Sequence, residues 1–201
     1  MATDRDNPLF DPSRDVVTDA NDLQALAHPL RIRLLGALRR EGPSTASRLA
    51  AQLDVSSGLT SYHLRQLAAA GFIREADHPG TGRERWWQAS RRSTHVLVPK
   101  TGNPDDEAVT TEFLQAVIEV NFDNARAFIA QEEQWPAEWR EASEFSDMML
   151  ALTPAEADQL RRELAEVVAR YSRHEAGHPL PDGATVVQAQ YQVFPHPRPH
   201  S

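Results

Sequence analysis

Cysteine is absent from this 201-residue chain, and lysine occurs once, at Lys100. Without thiols there can be no disulfide, no thiolate metal ligand and no cysteine nucleophile. Long apolar runs are also missing: nothing approaches the ~18 residues that a membrane-spanning helix needs. The polar start Met1-Ala2-Thr3-Asp4-Arg5-Asp6 lacks the apolar stretch of a signal peptide, so a cytoplasmic protein without membrane contact is expected. There is no P-loop, no dinucleotide-binding fingerprint and no G-x-S-x-G elbow. The chain is long enough for one large or two small domains with a real core.

The formal charge of −8 argues against a nucleic-acid partner, but its distribution reverses that reading. Residues 28–92 carry eleven arginines against five acidic residues, a balance of +6. Residues 101–201 carry seven basic and eighteen acidic residues, a balance of −11. The local field, not the total charge, decides whether a surface attracts phosphate.

Residues 1–20 read as a loose leader, rich in Asp, Asn, Pro and Ser and without periodicity. From Asp22 the pattern becomes helical, with Leu23, Leu26 and Ala27 on one face. His28-Pro29 breaks the run, and Pro29 suits the first position of a second helix. That helix places Ile32, Leu35 and Leu38 at core spacing and ends at Gly42-Pro43. Ser44 is the expected N-cap of a short third helix. Ser56 or Ser57 caps a fourth, which runs to about Ala70 and stops at Gly71. Thr60, Leu64 and Leu67 fall on its core stripe; Ser57, Ser61, Tyr62 and Arg65 then point elsewhere. Phe72–Asp77 and Arg83–Ala89 are strand candidates flanking the turn-rich His78-Pro79-Gly80-Thr81-Gly82. Helix, helix, short turn, helix and hairpin is the order of a winged helix-turn-helix module.

Three pieces carry a family resemblance: LQALAHPLRIRLLGAL, STASRLAAQLDVSSGLTSYHLRQLAAAGFI and GTGRERWWQAS, in that order from Leu23. Together they resemble the ArsR-like winged-helix family of bacterial transcription regulators, over about a third of the chain. The resemblance implies a homodimeric repressor or activator bound to double-stranded DNA. Its recognition helix, about 57–70, would lie in the major groove, and its wing, about 72–89, on the flanking DNA. Metal-sensing members often use cysteines near the second or third helix; with none here, a thiolate sensor is excluded.

Base edges are read by side-chain donors and acceptors, while cations hold the phosphates. The DNA-binding candidates are therefore Ser57, Gly58, Thr60, Ser61, Tyr62, Arg65, Arg83 and Arg85, with Gly58 allowing close backbone approach. Ideal strand alternation would put Arg83, Arg85 and Trp87 on one face, whereas the resemblance implies a packed aromatic at Trp87. Trp87 is assigned to the core and Arg83 to the DNA. Arg31 and Arg33 are further phosphate candidates. His63 reads as a DNA contact or as a helix-packing histidine, and the packing reading is favoured.

The expected fold is α+β and mostly helical. Residues 21–92 would form the winged module, with a β-hairpin wing, and 93–201 a C-terminal helical region with a small β-sheet. In the latter, about 105–134, 137–150 and a segment opened by Thr153-Pro154 read as helices, Thr153 forming a capping box with Glu156. Val109, Phe113, Val117 and Val120 line the first. Leu160, Leu164, Val167 and Tyr171 make a seam on the third. Thr94–Val98 and Thr185–Phe194 read as strands that could pair. This region is expected to dimerise. A small organic effector is a lesser expectation, with Phe122, Phe128, Trp135, Trp139, Met148 and Met149 as the candidate pocket.

One further motif, His174-Glu175-Ala176-Gly177-His178, fits the H-E-x-x-H pattern of zinc hydrolases. Gly177 should stop the helix before His178 reaches the face that a shared metal requires. The expectation is therefore a non-enzyme with no metal site and no cofactor. The main competing reading is a sensor or interaction protein whose winged module no longer binds an operator; a zinc hydrolase built on residues 174–178 is a remote one.

Overall fold

A computed structural model describes residues 15–17, 20–77, 84–91, 93–95, 103–171 and 178–197. The fold is mostly helical, with a small three-stranded antiparallel sheet.

Helix α1 (Ala20–Leu26) stops at His28, whose Nδ1 accepts a hydrogen bond from the Leu30 amide and so caps α2 (Pro29–Glu41). Strand β2 (Ser44–Thr45) follows β1 (Asp15–Val17) in chain order and leads into α3 (Ala46–Gln52). Thr45, not Ser44, is the N-cap of α3: it is the last residue of β2, and its Oγ1 accepts the Arg48 amide. Ser56 caps α4 (Ser57–Ala69), and Gly71 follows it with φ +76, the left-handed conformation expected of a helix stop.

Strands β3 (Ile73–Glu75) and β4 (Trp86–Ala89) pair antiparallel, with Ile73 opposite Ala89 and Glu75 opposite Trp87. Ser44 and Thr45 pair on the other side of β4, giving the order β2-β4-β3. The expected hairpin is thus the larger part of a three-stranded sheet. The core beneath it joins Leu23, Leu26, Leu34, Leu38, Leu49, Leu64, Leu67 and Ile73 to Trp87.

The long helix α5 (Pro104–Ala130) packs against α1 and α2 and delivers Phe113 to the same core. The second half of the chain therefore begins by packing into the same core as α1 and α2. A short 3₁₀ turn (Glu132–Gln134), α6 (Ala137–Glu141) and α7 (Pro154–Ala169) complete the helices; α7 carries the expected capping box.

Three expectations need correction. Asp15–Val17, inside the leader, forms β1 and pairs in parallel with β5 (Ser93–His95). The β-branched pair Val16-Val17 favours extended backbone, and β5 supplies a ladder partner. The helix expected over 137–150 ends at Glu141, and residues 143–150 are irregular. Phe145, Met148, Met149 and Leu150 lie exposed there, so no packed face stabilises further turns. Thr185–Phe194 joins no sheet among the described residues; Ser93–His95 pairs with β1 instead. The segment is tied to α5 by side-chain amides: Gln188 bonds Asn121 and Asn124, and Gln190 donates to the Asn121 carbonyl.

Candidate nucleic-acid interface

The polar face of α4 follows from where its core stripe falls. Thr60, Leu64 and Leu67 are fully buried, so the positions between them must face outward. Ser57, Gly58 and Arg65 are exposed, Tyr62 is 52% exposed and Ser61 is half-buried. A Cβ added at Gly58 would meet nothing within 4 Å, in keeping with an open surface at the first turn of the helix. Leu59, also exposed, adds an apolar side chain to this face, which sequence reasoning missed because it sits off the core stripe.

Thr60 is a correction. It was expected among the DNA contacts, but it is buried and its Oγ1 donates to the Ser56 carbonyl at 3.0 Å. It belongs to the core of the module rather than to its surface.

Arg65 makes no hydrogen bond or ion pair among the described residues, and its guanidinium remains free to meet an anion. Arg85 lines a cleft of about 360 Å³ together with Ser47, Ser61, Arg65, Glu84 and Trp87. Its Nε donates to Glu75 at 2.8 Å, and its guanidinium lies 5.5 Å from the centre of the Trp87 ring. Arg85 precedes β4, which starts at Trp86, and both expectations hold together: the guanidinium lies beside the Trp87 ring, so the cation and the core aromatic meet on one cleft. Trp87 is buried in the core, as expected. Arg83 and the turn at 78–82 lie outside the described residues.

Ser47 and Arg48, at the start of α3, were not singled out as site residues. Ser47 Oγ donates to Glu84 Oε1 at 3.0 Å, and the Arg48 guanidinium lies 4.7 Å from the centre of the Trp86 ring. Their signal was the basic, hydroxyl-rich run Ser44-Thr45-Ala46-Ser47-Arg48, which the capping assignment absorbed.

Arg31 and Arg33 are drawn into the scaffold. Arg33 pairs with Asp123 of α5. Arg31 donates to the Gln24 carbonyl at 3.2 Å, and burial lowers its pKa from the ordinary guanidinium value. His63 is buried, with its ring centre 4.4 Å from that of His28. Desolvation, then the charges of His28 and Arg31, hold its pKa below the usual histidine value. It is the packing residue expected.

The candidate effector residues do not close around a site. Phe122 is 56% exposed and Met148 and Met149 are each 74% exposed. Phe128 does gather Trp135 and Phe145, with ring centres 6.3 and 6.1 Å away, while Trp139 is half-buried. Of the HEAGH motif, His174 to Gly177 lie outside the described residues. Among the described residues, no helix is long and apolar enough to cross a membrane.

Residues 26–76 match a family of helix-turn-helix domains. The match spans α2, α3, α4 and β3, and so contains the whole exposed face of α4. The chain matches no curated protein.

Proposed function

We infer from the ArsR-like helix-turn-helix domain at residues 26–76 that this protein is a transcriptional regulator that binds double-stranded DNA sequence-specifically as a homodimer. The observation that carries the reading is the outward polar face of α4, with Ser57, Gly58, Tyr62 and an Arg65 that has no ionic partner among the described residues; Ser61 and Arg65 of this helix line one cleft with Arg85. Helix α4 enters the major groove, where Arg65 can give two hydrogen bonds to guanine or grip a phosphate. The wing lies over the flanking backbone, where Arg85 neutralises phosphate.

Two copies are needed to read two half-sites about one helical turn apart. Support for self-association comes from the apolar residues that α5 and the C-terminal segment leave exposed, among them Ile118, Phe122, Ile129, Val187 and Phe194. Scattered exposed apolar residues are ordinary, but this many in one region favours a covered surface. The acidic remainder of the C-terminal half repels DNA and restricts contact to the basic module. An organic effector stays a subsidiary proposal, with the cluster of Phe128, Trp135 and Phe145 as its nearest support.

The test is selection from a genomic fragment library by the full-length protein and by Arg65→Ala. Enrichment of one two-fold symmetric site by the wild type, lost in the variant, is expected. Uniform weak binding that disappears with added salt would reduce the module to a basic patch. The alternative of a sensor that has lost its operator would then stand.

A further inference from the structure

The wing cleft holds a carboxylate where a DNA-binding surface should hold none. Glu84 is the sole acid among the described residues lining it, and it takes the Ser47 hydroxyl as its hydrogen-bond donor at 3.0 Å. The other polar groups around it are those that usually receive phosphate oxygens: the hydroxyls of Ser47 and Ser61 and the guanidiniums of Arg65 and Arg85. Arg85 is occupied by Glu75 rather than by Glu84, and the Ser47 hydroxyl is the hydrogen-bond partner of Glu84 among the described residues.

We propose that Ser47, Ser61, Arg65 and Arg85 form a subsite for one DNA backbone phosphate, and that Glu84 occupies it in the free protein. This rests on the DNA-binding reading above and adds to it a regulatory residue. Glu84 is exposed, so its carboxylate can swing out of the cleft when a phosphodiester enters. Ser47 then passes its hydrogen bond from carboxylate to phosphate. The carboxylate is a standing competitor: it lowers affinity for all DNA and does so most strongly at low salt, where phosphate contacts count most. The opposite role, a carboxylate accepting a hydrogen bond from a cytosine amino group, would make Glu84 favourable for binding. The two roles differ in the sign of a substitution's effect.

The experiment is titration of the full-length protein with a duplex containing the selected site, and with an unrelated duplex, over a range of salt. Glu84→Gln should tighten binding to both duplexes by about fivefold at low salt and steepen the salt dependence by about one phosphate's worth. Glu41→Gln removes the same charge at the end of α2, outside the cleft, and should change affinity by less than about twofold. Ser47→Ala should weaken binding in both the wild-type and the Glu84→Gln backgrounds. Thermal melting of each variant verifies that it is folded. Weaker binding by Glu84→Gln, no change, or a gain equal to that of Glu41→Gln would overturn the proposal. Failure of the wild type to bind any duplex would instead remove the DNA-binding reading itself, and the subsite with it.

Discussion

Arg65 differs from the other arginines of the module in its surroundings. Arg33 is paired with Asp123, Arg31 is drawn toward the Gln24 carbonyl, and Arg85 is held by Glu75 and Trp87. Arg65 alone of these four reaches the outward face of α4 without an ionic partner among the described residues. Arg65→Ala should therefore weaken specific binding by about 1–3 kcal/mol, measured by fluorescence anisotropy on the selected site. Arg33→Ala should leave that affinity nearly unchanged and lower stability by at most about 1 kcal/mol, since its ion pair is more than a third exposed. His63 gives a prediction of a different kind. Its pKa is lowered by burial first, then by His28 and Arg31, and His28 is itself lowered by burial and Arg31, with Glu119 acting the other way. Below the ordinary histidine pKa of about 6.5, the unfolded chain takes up protons that the folded one resists, so the stability gained from neutral histidines is lost as the pH falls through that value and below. The melting temperature of the wild type should fall more steeply between neutral pH and about pH 5 than that of His63→Gln. Parallel profiles would show that His63 does not titrate with folding.

At the scale of elements, α4 joins stability to recognition. Its core stripe is fixed by Leu64 and Leu67 and its start by Ser56, whose hydroxyl accepts the Leu59 amide at 3.2 Å. Leu64→Ala should cost about 2–5 kcal/mol and Ser56→Ala about 1 kcal/mol in chemical denaturation. Sequence made this part of the fold legible because several local signals agree with one core. His28-Pro29, Ser56 and Gly71 punctuate the helices that Leu38, Leu64 and Leu67 fasten together. The candidate site inherited that clarity on α4, where an outward position follows once the buried ones are known. Thr60 was misplaced because its residue type suggests DNA contact while its spacing assigns it to the core, and the spacing prevailed. Residues 143–150 and 185–194 were misread for the converse reason. Their apolar patterns are real, but a pattern becomes a helix or a strand only against a surface or a partner strand, and neither is supplied within the described chain. Ser47 and Glu84 were not legible as a pair, because 37 positions separate them and only the β2–β4 pairing brings them together.

The whole molecule divides its charge and its apolar surface between two regions. The module is basic and closed around its core, whereas the part beyond α5 is acidic and leaves Phe145, Met148, Met149, Tyr171 and Phe194 exposed. Helix α5 links the two by packing on α1 and α2. A second copy that covers the exposed residues would fix the distance between two α4 helices, which the spacing of half-sites demands. Sedimentation equilibrium should give twice the chain mass, and the paired change Phe122→Asp with Val187→Asp should shift it toward the monomer while α4 stays folded. A wild-type monomer at all concentrations would count against the homodimer. The central claim, that the face of α4 reads a particular DNA sequence, is tested most directly by selection from genomic fragments at two salt concentrations, wild type against Arg65→Ala. The account predicts one enriched two-fold symmetric site that persists at the higher salt and is lost in the variant. Equal recovery of all fragments, vanishing at the higher salt and unchanged by Arg65→Ala, would contradict it.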